Sequence, residues 1–264
     1  MLGAALFVYS HHWWFIWEND EEMPKQVVLI PTYNEADSII ELLKELQNID
    51  IDVIVIDDAS PDKTAQIVRQ SAFPNVRVID NGRKKGIGSA YLAGIFLAIH
   101  DGYDFIATMD ADGSHLVRNL RDMLQFAQSF DVVMGTRWIL GGSVTNWSLH
   151  RRLLSQFGTW YASKALSLPY KDLTGGLRVY KSSVLNRLNL NSIRSNGYCF
   201  QIEMIRALSM LNSDVKEFPI QFIEREQGKS KMSKSIVFEA FYRVSVWGLR
   251  RLLGVNADKL HYVK

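Results

Sequence analysis

From residue 26 onward the apolar positions of this chain alternate between two spacings. Short β-branched runs read as strands over 27–31, 53–57, 76–80, 105–109 and 132–135. Each run is too continuously apolar for a half-exposed sheet, so both faces are expected to be covered. Between them, apolar residues recur at helical spacing over 36–46, 64–71, 89–100 and 116–128. Asp62 and Ser114 stand where N-caps would start the second and fourth of these helices. The alternation predicts an α/β fold, a mostly parallel sheet flanked by helices. Two longer amphipathic helices are expected over 149–168 and 233–253. In the second, Val237, Ala240, Phe241 and Val244 form the apolar stripe, while Glu239, Arg243 and Arg250 share a polar side. This pattern divides the chain into an apolar, aromatic tail over 1–25, one α/β domain over 26–232 and a C-terminal amphipathic segment over 233–264.

The tail carries His11, His12 and Ser10 and falls short of the roughly 20 apolar residues needed to cross a bilayer. No Lys or Arg precedes its apolar run and no small-x-small site follows, so it does not read as a secretory signal. Trp13, Trp14, Phe15 and Trp17 suit an interfacial segment, and packing on the fold suits them equally. With 47% hydrophobic and 22% charged residues the chain is expected to fold rather than remain disordered. A net charge of +2 does not mark a nucleic-acid binder, and none is expected as a partner. The single cysteine, Cys199, excludes an intramolecular disulfide and a multi-thiolate metal site; a buried packing role is expected for it.

Open parallel sheets bind ligands beyond the carboxyl ends of their strands. The polar residues gather at those ends: Pro31-Thr-Tyr33-Asn-Glu35 after the first strand, Asp57-Asp58-Ala-Ser-Pro-Asp62 after the second, Asp110-Ala111-Asp112 after the fourth and Thr136-Arg137 after the fifth. Turn chemistry explains any one cluster, but not four along one edge. Two carboxylates one residue apart repel unless both address one hard cation, and Mg2+ completes such a shell with water and phosphate oxygens. Lys84-Lys-Gly86-Ile-Gly88 opens the third helix with positive charge and flexible backbone, which suits either a diphosphate or close helix packing.

Together these runs resemble glycosyltransferase family 2, with the GT-A (Rossmann-like) fold. Four later segments, Asn146-Trp-Ser-Leu-His-Arg151, Asp172-Leu-Thr-Gly-Gly-Leu-Arg178, Gly197-Tyr-Cys-Phe-Gln201 and Glu224-Arg225-Glu-Gln-Gly228-Lys-Ser230-Lys231-Met-Ser, are similar to the dolichol- and polyprenol-phosphate mannose synthases, particularly the bacterial branch. The resemblance implies transfer of mannose from GDP-mannose to a polyprenyl monophosphate with inversion. It implies that Pro31, Tyr33, Glu35, Ile56 and Asp58 hold the nucleoside. Asp110, Ala111, Asp112 and Ser114 would surround the diphosphate, with Asp110, Asp112 and Ser114 on a divalent cation, Mg2+ or Mn2+. Arg137, Arg225 and Lys231 match phosphate- or sugar-contacting positions, and Arg137, Arg151 and Ser155 would clamp the acceptor phosphate.

A phosphate acceptor is already ionised near pH 7 and needs no strong base. A hydroxyl acceptor would need one, for which Glu203 or Asp172 would be the candidate. Q-x-x-R-W, frequent in processive enzymes of the family, is absent; Gln156-Phe-Gly-Thr-Trp160 lacks its arginine. The alternatives are a UDP-glucose-dependent glucosyltransferase on the same lipid, a sugar-phosphate nucleotidyltransferase, whose basic glycine-rich loop after strand one is replaced here by Pro-Thr-Tyr-Asn-Glu, and a non-catalytic nucleotide-sugar binder. The expected setting is the cytoplasmic face of a membrane, with the enzyme peripheral to its surface and a separate membrane protein as a further anchor.

Overall fold

The computed structural model describes residues 23–224, 234–254 and Tyr262. Seven strands form the main sheet: β1 (Gln26–Thr32), β2 (Asp52–Asp57), β3 (Val76–Asp80), β4 (Phe105–Thr108), β5 (Val132–Thr136), β7 (Arg178–Lys181) and β8 (Val215–Pro219), in the order β3-β2-β1-β4-β7-β5-β8. All neighbours are parallel except β7, which runs antiparallel to both β4 and β5. A separate parallel pair joins β6 (Ser143–Thr145) to β9 (Gln221–Ile223). The five expected strands are present; β6 to β9 were not read from the pattern. In β1, Val28 and Ile30 face one core layer while Val27 and Leu29 face the other, as expected for a sheet covered on both sides.

The helices are α1 (Ile39–Leu46), α2 (Thr64–Ser71), α3 (Ile87–His100), α4 (Val117–Ala127), α5 (Leu149–Leu166), α6 (Ser182–Leu185), α7 (Gly197–Met210) and α8 (Lys234–Leu252). Both expected caps differ in detail. Ser114 does not cap α4, which starts three residues later behind Leu116; a tight turn intervenes, in which the Ser114 N–H donates to Asp112 Oδ1 at 3.1 Å. Asp62 acts from one residue outside the cap position, accepting from Thr64 N at 3.0 Å and Thr64 Oγ1 at 2.5 Å. The amphipathic α8 packs on α5 and α7. Tyr161 stacks on Phe241 at 4.5 Å and its hydroxyl pairs with Ser245 Oγ at 2.7 Å. Glu239 and Arg243, predicted on one polar side, form an ion pair at 2.9 Å. Among the described residues no helix is long and apolar enough to cross a membrane. The tail over 1–22 lies outside them.

Candidate active site

The carboxyl ends of β1 and β2 are bound to each other. Asp57 accepts from Thr32 Oγ1 at 2.8 Å, Ser60 N at 2.8 Å and Ser60 Oγ at 2.6 Å. The Asn34 N–H donates to Ser60 Oγ, and Asp62 accepts from Ala36 N, both at 3.0 Å. This bracing fixes the run from Pro31 to Glu35 against the end of β2, where Ile56 is fully buried. Tyr33 lies under the Lys84 ammonium, 3.7 Å from its ring centroid.

Asp58 is committed to the next loop. It accepts from Asn81 Nδ2 at 2.7 Å, Lys85 N at 3.1 Å and Gly86 N at 2.6 Å. Any contact to a base edge therefore uses the remaining lone pairs of its two oxygens. The same bonds decide the reading of the glycines. Two backbone N–H groups that would cradle a diphosphate at the start of α3 serve Asp58 instead, and a Cβ on Gly88 would stand 2.4 Å from the Ser195 carbonyl oxygen. Close packing explains Gly88.

The acid pair lies where the sequence put it, at the tip of β4. Asp110 Oδ1 accepts from the Tyr91 hydroxyl at 3.2 Å, and His115 Nε2 stands 3.5 Å from Oδ2. Burial pushes the Asp110 carboxyl up, but His115, Tyr91 and Arg137 outweigh it and hold the group below the usual carboxylate range. The backbone of Gly176 closes the other flank: a Cβ there would meet the Asp110 carboxylate at 3.0 Å. Gly176 is anchored by Thr108 Oγ1, which donates to its carbonyl at 2.7 Å. Gly113, at φ +72°, turns the chain between Asp112 and Ser114 in a conformation favouring glycine. Ser114 Oγ is buried and has no hydrogen-bond partner among the described residues. Two carboxylates and one orphaned hydroxyl are a hard-oxygen donor set and fit Mg2+ or Mn2+.

Arg137 is nearly fully buried and forked onto Asp172, with Nε to Oδ2 at 2.6 Å and Nη2 to Oδ1 at 2.8 Å. Its guanidinium lies 5.2–5.4 Å from the ring centroids of Trp138, Trp147 and Phe222. Burial disfavours both charges, yet each partner's field overrides this: Asp172 is held below the usual range and Arg137 above it. Arg151 stacks on Trp147 at 4.3 Å and pairs with Glu224. Trp147 thus stands beside both arginines. Ser155 lies one helical turn beyond Arg151 on α5 and is half-buried. Arg225 and Lys231 lie outside the described residues.

Several contributors were not singled out as residues in the sequence. Arg178, fully buried, donates to the carbonyls of Gly175 at 3.1 Å, Leu173 at 2.9 Å and Gln201 at 2.6 Å, and so holds the 172–176 loop over Asp110. Tyr198, at the start of α7, is 38% exposed; burial first, then the Asp110 charge, pushes its hydroxyl pKa up. A Gly-Gly pair before a short strand containing arginine was the one available signal for this loop. Glu203 and Asp172 are not free bases. Glu203 accepts from Ser195 N at 2.9 Å and Tyr262 Oη at 2.8 Å, while Asp172 is sealed by Arg137. Cys199 is buried, which pushes its thiol up to about 11.

A doubly covered α/β sheet with an acid pair at the tip of its fourth strand defines the GT-A class of glycosyltransferases. The chain belongs to glycosyl transferase family 2, whose model matches residues 27–188. The undecaprenyl-phosphate mannosyltransferase of Micrococcus luteus is 40% identical over 227 residues, covering 84% of this chain and 93% of that protein. The polyprenol monophosphomannose synthase of Mycolicibacterium smegmatis is 36% identical over 232 residues, covering 86% and 88%. Among solved structures, glucosyl-3-phosphoglycerate synthase of Mycobacterium tuberculosis, bound to Mn2+, UDP-glucose and phosphoglyceric acid, superposes with a TM-score of 0.58 at 15% identity over 88% of this chain and 79% of that one. That likeness is one of fold.

Proposed function

We propose that this chain transfers mannose from GDP-mannose to a polyprenyl monophosphate with inversion, giving β-mannosyl phosphopolyprenol. The observation that carries the reading is an acid pair beside two arginines that share Trp147, with Asp172 and Glu203, the two candidate bases, both held in hydrogen bonds. Neither candidate is placed as a free general base for an alcohol, which suits an acceptor that arrives as an anion. The two mannosyltransferases similar over most of the chain support the sugar and the lipid.

The braced run from Pro31 to Glu35, with Ile56 and Asp58, holds the nucleoside. Asp110, Asp112 and Ser114 would hold a divalent cation, which supplies charge neutralisation at the departing diphosphate. Arg137 and Arg151 draw the acceptor phosphate behind the anomeric carbon, with Ser155 as a further donor. A phosphate oxygen forms the new bond to that carbon as the bond to the diphosphate breaks, and GDP leaves with the electron pair. Purified chain should turn over GDP-mannose only when a polyprenyl phosphate is present, should lose activity in EDTA, and should prefer GDP-mannose to UDP-glucose in direct competition. A product of α configuration, or lipid-independent nucleotide exchange with a sugar phosphate, would remove this reading.

The acceptor's tail calls for a membrane surface, and α5 with α8 offers one. Leu149, Leu153, Phe157 and Trp160 repeat along one exposed face of α5, and Phe238 and Tyr242 are exposed on α8, which packs on α5. Phe238 is 72% exposed, and large exposed apolar side chains along two packed helices suit an interaction site. Replacing Phe157 and Phe238 together by aspartate should abolish flotation with anionic liposomes while leaving the melting temperature in place. Undiminished flotation would move the membrane contact elsewhere.

A further inference from the structure

Arg151 already holds an anion, and that anion is part of the chain. Glu224 Oε1 accepts from Arg151 Nη1, with 28% of the arginine and 32% of the glutamate side chain exposed. The arginine does not need this partner to hold its pose. Its guanidinium lies on the Trp147 ring at 4.3 Å, and its backbone N–H is capped by Ser148 Oγ at 3.4 Å. The glutamate's backbone is tied as well: its N–H donates to the Thr145 carbonyl at 3.2 Å, beyond the last register pair of β6 with β9. With both backbones tied and the guanidinium lying on Trp147, the carboxylate can part from the arginine by side-chain rotation.

A carboxylate and a phosphate engage a guanidinium through the same charge-assisted bonds. We infer that Glu224 is a built-in occupant of the acceptor-phosphate position, seated on Arg151 when no lipid is bound and displaced when the phosphate arrives. The inference rests on Arg151 being part of the acceptor clamp. Its chemical consequence is exchange in place of simple addition: the incoming phosphate must outcompete a carboxylate and then share the site with it. A doubly ionised phosphate ester gains more from the arginine pair than a singly charged anion does, so the occupant favours the dianion over weaker anions that would otherwise settle there.

The experiment uses the full chain and two readouts. Glu224→Gln should lower KM for a short-chain polyprenyl phosphate by about two- to fivefold, the size of a partly exposed ion pair, with KM for GDP-mannose unchanged. Binding of geranyl phosphate, followed by calorimetry without donor, should tighten by the same factor. In an Arg151→Gln background the Glu224→Gln substitution should change neither quantity. A rise in lipid KM or weaker geranyl phosphate binding in Glu224→Gln would make the glutamate a support for Arg151 and overturn the inference. An equal gain in the Arg151→Gln background would overturn it too. Tighter geranyl phosphate binding in a chain that never glycosylates the lipid would uphold the exchange and defeat the transferase reading.

Discussion

Asp112→Asn is expected to lower turnover by roughly 100- to 1000-fold, the usual cost of removing one group that stabilises charge on the reacting atoms. The amide is the informative choice. Its oxygen can still accept from the Ser114 N–H, as Asp112 Oδ1 does at 3.1 Å, so the turn after β4 survives. Folding stability should then change by about 1 kcal/mol or less, read as a nearly unmoved thermal transition. What the substitution removes is a charge that, in the proposed function, lets two neighbouring carboxylates address one cation. Initial rates with GDP-mannose and a polyprenyl phosphate provide the check. Activity within about tenfold of the unchanged chain would dissociate Asp112 from the cation.

The second large effect is on stability. Asp172→Ala leaves the buried Arg137 guanidinium without its fork partner, and breaking one side of a buried pair costs about 3–5 kcal/mol. For a chain of this size that corresponds to a fall in Tm of roughly 6–20 °C. Pairing Asp172→Ala with Arg137→Met removes the stranded charge and should recover much of the loss without recovering turnover. Denaturant unfolding separates the two variants. The pH dependence follows from the depressed carboxyl of Asp172, for which burial is outweighed by Arg137. A group depressed on folding contributes its full stabilisation above its unfolded value and loses it as the pH falls through its folded value. The gap between the unchanged chain and Asp172→Ala should therefore be widest at neutral pH and begin to close below about pH 4.

The half of the molecule from β1 to β5 was legible because its signals are local. Each strand from β1 to β5 is a single apolar run, and Asp110 and Asp112 follow one of them directly. The other half rests on pairings across long stretches of chain. Arg137 meets Asp172 and Arg151 meets Glu224, 35 and 73 residues apart, and no periodicity encodes a partner at that distance. Strand β7 was overlooked because Arg-Val-Tyr-Lys reads as a polar fragment, although its arginine is among the most deeply buried side chains. At Asp58 the sequence showed a polar residue at the right edge but not that it also accepts from the backbone of the following loop.

The reversed direction of β7 decides where the chain re-enters the sheet. A parallel strand between β4 and β5 would begin at the edge away from the acids, whereas β7 begins level with their tip, with Thr108 and Met134 both opposite Arg178. The polypeptide between β5 and β7, including α5 and its arginine, is thereby an excursion that leaves and re-enters beside the acid pair. Both ends of that excursion are fixed by the sheet, so its conformation can change without shifting the register of β1, β2 or β4.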